Sequence, residues 1–237
     1  MFPVAILAGG LATRMRPATE KVPKAMLAVG GKPFIDHQLL LLKKHGFQKV
    51  VVCAGYLGEI VQRHVGNGDA YGMDVRWSFD GDRLLGTGGA LCKALSQLGD
   101  AFFVLYGDSY LQCPYGAIQK AFEESGASGL MTVFRNNDRF DRSNVEFSNG
   151  RIVEYNKRSP SARMEHIDYG LGILRASVFN AIRKDAAVDL ADMYADLVRQ
   201  GQLAGYEVQE RFYEIGSFEG LHALDTMLKA EQESAAK

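Results

Sequence analysis

Pro3 to Gly10 reads PVAILAGG, an apolar run that stops at two adjacent glycines. A compact run without polar alternation fits a strand buried on both faces, as in a parallel sheet. The same texture returns at KVVVCAG (Lys49–Gly55) and AFFVLYGD (Ala101–Asp108). Between these runs the period changes. From Pro33 to His45 the residues Ile35, Leu39 and Leu42 recur at helical spacing, and Gly46 supplies a stop. LGEIVQRHVG (Leu57–Gly66) and GGALCKALSQLG (Gly88–Gly99) read as further helices, whereas MDVRWSF (Met73–Phe79) alternates like a strand. This βαβαβ order predicts an α/β fold whose parallel sheet carries helices on both faces, joined by right-handed crossovers.

After about residue 127 the texture shifts. LMTVFR (Leu130–Arg135), NVEFSNGRIVEYNK (Asn144–Lys157) and HIDYGLGILR (His166–Arg175) read as strands, and Ser148-Asn149-Gly150 is a hairpin turn. DLADMYADLVRQG (Asp189–Gly201) and SFEGLHALDTMLKAEQ (Ser217–Gln232) read as amphipathic helices, and the polar tail from Gln232 as frayed. No repeat, low-complexity tract or linker separates the halves, so residues 1–237 are expected to form one domain.

The chain has 237 residues, 47% hydrophobic, 23% charged and 10% aromatic, with a formal net charge of -1. That balance argues against a general nucleic-acid binder, which shows a basic excess. Cys53, Cys92 and Cys113 are far apart and form no CxxC pair, so neither a zinc site nor a disulfide framework is expected. No run approaches a membrane span, and FPVAILA lacks the length and basic flank of a signal segment. The expectation is a cytoplasmic protein.

Against near-neutral charge, AGGLATRMRPATEKVPKAM (Ala8–Met26) gathers Arg14, Arg16, Lys21 and Lys24 behind the glycines, with only Glu20 to oppose them. Ligands in open parallel sheets sit at the carboxyl ends of the strands, where the loops after PVAIL, MDVRWSF and AFFVLY converge. There, glycines allow close backbone approach and N–H groups meet anionic oxygens. Arg14 can grip a phosphate bidentately and Lys24 adds a movable point charge. Solvated loop charges are the bland alternative, but Pro17 and Pro23 stiffen the loop. Asp108, leaving an apolar strand at that edge, is either a helix cap or a hard-cation ligand. GNGDAYG (Gly66–Gly72) is a turn, the histidines show no metal spacing, and no pattern suggests a covalent nucleophile.

GGLATRMRPATEKVPKAM resembles the signature of the sugar-1-phosphate nucleotidyltransferases, G-G-x-G-T-R-(L/M)-x-P-x-T followed by P-K-P. The resemblance runs from Val4 to about Leu224, with Ala12 and Ala25 standing where the family has glycine and proline. Further landmarks follow in order. LLGTGGAL (Leu84–Leu91) resembles the loop beside the base, with Asp80 upstream. YGDS (Tyr106–Ser109) carries Asp108, VEYNKR (Val153–Arg158) carries Lys157, HIDYGLGIL carries Asp168 where the family has asparagine, and FYEIGSFEGL (Phe212–Leu221) carries Glu214 where it has aspartate.

The resemblance implies a Rossmann-like, predominantly parallel mixed sheet of the nucleotide-diphospho-sugar transferase type, with a nucleotide-binding half to about residue 127 and a sugar-binding half beyond it. It implies Mg²⁺-dependent transfer of a nucleotidyl group from an NTP to a sugar 1-phosphate, releasing pyrophosphate. Leu7, Ala8, Gly9, Gly10, Thr13, Arg14, Lys24, Asp80, Gly86, Thr87 and Gly88 would bind the nucleotide. Gly107, Glu154, Lys157, Asp168 and Gly170 would bind the sugar phosphate, and Asp108 and Glu214 the metal. Arg14, Lys24 and Asp108 would be catalytic. The compact chain and NNDRFDRSNVEF (Asn136–Phe147) look most like heptose-1-phosphate guanylyltransferases. Uridylyl or cytidylyl transfer, and a non-catalytic subunit of the same fold, are the alternatives; a homo-oligomer is compatible with any of them. Asp168 is expected to accept a pair of sugar hydroxyls and to disfavour sugars with a nearby carboxylate; the alternative is a structural carboxylate bonded to backbone or an arginine.

Overall fold

The computed structural model describes residues 1–10, 13–183 and 186–235. The family-like departure at Ala12 therefore lies outside the described residues. The first apolar run forms β1 (Val4–Ala8), flanked by β4 (Lys49–Ala54) and β6 (Ala101–Tyr106), both parallel to it. β5 (Asp74–Phe79) lies beyond β4, also parallel. The chain thus builds outward from β1 through β4 to β5, then returns to β6 on the other side of β1. That reversal is the topological switch point at which open α/β sheets bind ligands.

Beyond β6 the sheet is mixed. β11 (His166–Arg175) runs antiparallel to β6 and to β8 (Gly129–Arg135). β12 (Leu203–Val208) is parallel to β8, and the hairpin β9 (Val145–Ser148) and β10 (Arg151–Tyr155) closes the edge. The order is β5-β4-β1-β6-β11-β8-β12-β10-β9. At the hairpin tip Asn149 and Gly150 both take left-handed φ (51° and 74°), the pattern of a two-residue turn that matches strand twist.

Alternation hidden within the apolar runs serves two cores. Val4, Ile6, Val50 and Val52 face α1 (Phe34–Lys44), α2 (Gly58–Val65) and α4 (Tyr115–Ser125). Ala5, Val51, Cys53 and Val104 face α3 (Gly86–Leu98) and α5 (Leu190–Arg199). A third cluster joins α6 (Phe218–Ala235) to two short ribbons, β2 (Ala28–Val29) with β3 (Lys32–Pro33), and β7 (Ser109–Tyr110) with β13 (Tyr213–Glu214).

The expected strands and helices are present, and α3 begins two residues earlier than its apolar pattern. The tail differs from expectation: α6 continues through Gln232 to Ala235, and the last two residues lie outside the described ones. α4, β12 and both ribbons were not anticipated.

Candidate functional site

At the switch point, Gly107 lets β6 continue alongside β1. Its N–H donates to Leu7 O at 3.0 Å, and a Cβ there would strike Leu7 O and lie 2.9 Å from Leu7 C. Glycine is required by this approach, and it delivers Tyr106 and Asp108 to the carboxyl edge. A cavity of about 400 Å³ opens there, lined by Leu7, Ala8, Gly9, Gly10, Lys24, Asp80, Gly86 and Thr87 among the expected nucleotide residues. Cys53, Tyr56 and Asp189 also line it and were not anticipated.

Asp80 is buried, and its Oδ2 accepts the Leu85 N–H at 3.2 Å. Burial raises its carboxyl above the usual range, against the pull of the Leu85 N–H and of Lys93. The Thr87 hydroxyl donates to Asp189 Oδ1 (3.1 Å) and accepts from Leu190 N (2.8 Å), tying the start of α3 to the start of α5. Three expected nucleotide residues do not line this cavity: Gly88, Thr13 and Arg14, the last of which lines the second cavity described below. Gly88 packs inside α3, where a Cβ would lie 2.7 Å from Met193 Sδ, so its glycine answers to helix packing. Thr13 is exposed at the start of a single-turn helix and lines neither cavity.

A second cavity, of about 530 Å³, lies on the β11 side and includes Arg14, Lys157, Asp168, Gly170 and Glu214. Tyr106, Asp108 and Lys157 line both cavities. Gly170 sits in a bulge of β11, between the pairs Asp168–Val133 and Gly172–Met131, with φ 94° and Ser109 Oγ 2.9 Å from where its Cβ would be. A side chain there would be strained and crowded at once. Glu154 is not brought in: it sits on β10 and its Oε2 accepts from Arg163 Nη2 at 3.5 Å.

Asp168 is held by partners within the chain. Its side chain is 4% exposed, and Oδ2 accepts from the Tyr106 hydroxyl (2.9 Å), the Tyr155 hydroxyl (3.2 Å) and Lys157 Nζ (3.1 Å). Oδ1 accepts the Gly170 N–H at 3.1 Å. These four donors fit the structural alternative, with a lysine and two phenols in place of an arginine, and leave Oδ1 with one accepted bond on the cavity wall. Burial pulls the Lys157 ammonium down, but Asp168 and Tyr155 outweigh it and hold the pKa above its ordinary value. Burial first, and Asp168 second, push the Tyr106 and Tyr155 phenols up. Neither tyrosine was foreseen, because each reads in sequence as one more apolar strand residue.

The second cation at the junction is Lys24, whose Nζ meets Asp108 Oδ2 at 3.0 Å. The β7–β13 pairing sets Glu214 opposite Ser109, and Ile215 N donates to Asp108 O at 2.9 Å, so Asp108, in the turn just before β7, lies beside the strand that carries Glu214. Glu214 accepts from Ser217 Oγ (3.0 Å) and Gly216 N. Among the described residues no group of three or more histidines, cysteines and acids forms a metal cage. Two carboxylates at a cavity wall do fit a hard cation that completes its shell with phosphate oxygens and water.

Residues 4–231 match the family model described as nucleotidyl transferase. The chain is 28% identical over 214 residues to UTP–glucose-1-phosphate uridylyltransferase of Synechocystis, covering 83% of this chain and 55% of that protein. It is 30% identical over 219 residues to N-acetylmuramate alpha-1-phosphate uridylyltransferase of Neisseria meningitidis, covering 90% and 92%. Among solved structures, HddC from Yersinia pseudotuberculosis superposes with a TM-score of 0.79 at 21% identity, over 96% of this chain and all (100%) of that one, a likeness of fold. No helix among the described residues is long and apolar enough to cross a membrane.

Proposed function

The chain belongs to the nucleotidyl transferase family, and from that premise we propose that it transfers a nucleotidyl group from an NTP to a sugar 1-phosphate, releasing pyrophosphate. One observation carries the reading: two cavities meet at Tyr106, Asp108 and Lys157, so two phosphorylated ligands can lie end to end there. An oxygen of the sugar phosphate attacks the α-phosphorus, and the bond to the β-phosphate oxygen breaks with its electron pair leaving on pyrophosphate. The attacking phosphate has a second pKa of about 6, so near neutral pH no strong general base is needed. Positioning and charge neutralisation do the remainder. Lys24 faces the nucleotide cavity, Lys157 offsets charge where the anions meet, and Arg14 reaches the leaving pyrophosphate from the rim of the larger cavity. Mg²⁺ held by Asp108 and Glu214 would neutralise phosphate charge.

Guanylyl transfer to a heptose 1-phosphate is the finer form favoured by the sequence resemblance. Uridylyl transfer to a different sugar is favoured by the Neisseria relative, which matches nearly end to end. Pyrophosphate release, measured with each NTP, Mg²⁺ and a sugar-1-phosphate panel, decides among these and a non-catalytic subunit. Asp108→Asn should nearly abolish turnover with the fold intact. Retention of more than about a tenth of the wild-type rate, a barrier change of only about 1.4 kcal/mol, would remove Asp108 from the mechanism.

A further inference from the structure

The reaction accounts for the junction of the cavities but not for the far wall of the larger one. That wall is a built loop, residues 136–143. Asn136 is fully buried, and its Nδ2 donates to Asp141 O (2.6 Å) and Ser143 Oγ (3.2 Å) while Oδ1 accepts from Phe140 N (3.2 Å). Ser143 N donates to Asp138 Oδ1 at 2.7 Å. Asn137 and Asp138 both take left-handed φ, 47° and 56°, a conformation that short polar side chains tolerate best.

The folded loop presents Arg139, Phe140 and Arg142 to the cavity, and Arg211 joins them from the segment between β12 and β13. Arg139 is used by the loop itself, donating to Asn136 O (3.1 Å) and Arg135 O (3.0 Å). Arg211 lies over the rings of Phe140 (4.2 Å) and Tyr213 (4.7 Å), which fix its plane and leave its N–H edges unbonded. Among the described residues, no acceptor bonds the guanidinium of Arg142 or Arg211. The same cavity is lined by the carboxylates of Asp108, Asp141, Asp168, Glu214 and Glu219, and among the described residues none of them bonds either guanidinium. Asp168 and Asp108 are neutralised by Lys157 and Lys24. Asp141 Oδ1 takes the Arg142 backbone N–H at 2.7 Å, Glu214 is bonded to Ser217 Oγ and Gly216 N, and Glu219 is exposed, with no ion pair among the described residues.

We propose that the acceptor bears a second anionic group, a carboxylate or second phosphate distal to its reacting 1-phosphate, and that Arg142 and Arg211 receive it. The proposal rests on the transfer reading of this site and narrows its acceptor class. Guanidinium forks match both anions bidentately, and the Phe140 and Tyr213 rings order Arg211 beforehand. The expected repulsion of acidic sugars by Asp168 does not operate, because its charge is already matched by Lys157.

Calorimetry on the full chain, with and without a saturating non-hydrolysable NTP, compares matched probes. Glucose 1-phosphate is set against glucose 1,6-bisphosphate and glucuronate 1-phosphate, and N-acetylglucosamine 1-phosphate against N-acetylmuramate 1-phosphate. At least one doubly anionic probe should bind about tenfold or more tighter than its neutral-sugar partner, as expected for charge-assisted bonds. The carboxylate and phosphate arms identify the anion. Equal or weaker binding of every such probe overturns the proposal. The double variant R142Q/R211Q should shrink the preference below about twofold and leave NTP affinity within about twofold of wild type. Parallel loss of NTP affinity would mean the pair grips the triphosphate, and would also overturn it. Preference without pyrophosphate release under any condition defeats the transfer reading and leaves the anion site standing; release without preference does the reverse.

Discussion

Asp168 gathers four donors at a cavity wall, and three of them are side-chain groups: two phenols and the Lys157 ammonium. The arrangement makes Asp168 a positioning residue for Lys157. Lys157 is 39% exposed, so removing its partner should cost about 1–3 kcal/mol of stability, less than a fully buried pair loses. The kinetic consequence is more telling. A lysine whose pKa is raised in the fold stays charged until pH climbs through that raised value. Asp168→Asn removes the largest raising influence and leaves burial to pull the pKa down, so the alkaline limb of the rate profile should move to lower pH. kcat/KM for the sugar phosphate should fall by about tenfold or more while KM for NTP changes little. An unmoved alkaline limb with a lowered melting temperature would reduce Asp168 to a purely structural part. The departure from the family's asparagine was legible in sequence. Its partners were not, since Tyr106 lies 62 residues away and nothing local marks its hydroxyl.

At the scale of elements, Gly107 decides whether the β6 edge can hold Asp108 beside the β1 loop. Gly107→Ala should destabilise the protein by about 1–3 kcal/mol, the range for overpacking against fixed backbone. Gly116→Ala offers the opposite sign. Gly116 lies in α4 with nothing within 4 Å of a new Cβ, so alanine should stabilise by about 0.5–1 kcal/mol through helix propensity. Denaturant midpoints for the two variants moving in the same direction would contradict the steric account. The elements missed by sequence reading share a physical cause. β12 carries Gly205, where a Cβ would lie 2.5 Å from the Phe147 ring, and its middle residues are only half buried, so it shows neither an apolar run nor clean alternation. α4 opens with Pro114, Tyr115 and Gly116, which read as turn. The two ribbons have strands of two residues, too short for any periodicity and created by pairing across more than a hundred positions in the case of β7 and β13. Strands β1, β4 and β6 were legible because burial on both faces writes an uninterrupted apolar run.

At the scale of the whole molecule, the two cores that sandwich the sheet also hold its thiols. Cys53 and Cys92 belong to one and Cys113 to the other, and all three are buried. Burial, with Asp80 second, pushes the Cys53 thiol from 9.0 to about 12. Burial likewise raises Cys113 to about 12, against a bond with Tyr115. An unfolded thiol ionises near 9, so between about pH 9 and 12 the native state holds protons that the unfolded state has released. Stability therefore falls as pH rises through that window, by up to about 1.4 kcal/mol per pH unit for each thiol. The pair Cys53→Ala/Cys113→Ala should lose some stability near pH 7 from the smaller side chains, yet show a shallower decline above pH 9 than wild type. Comparing the two slopes subtracts the contribution of the tyrosines and lysines, which titrate in both proteins. Iodoacetamide supplies an independent reading: the native thiols should react at rates set by opening of the cores, and denaturant should restore the rate of an exposed cysteine. Identical alkaline slopes, together with rapid alkylation of native Cys53 and Cys113, would show that the cores on the two faces of the sheet are open to solvent in a way their packing does not permit.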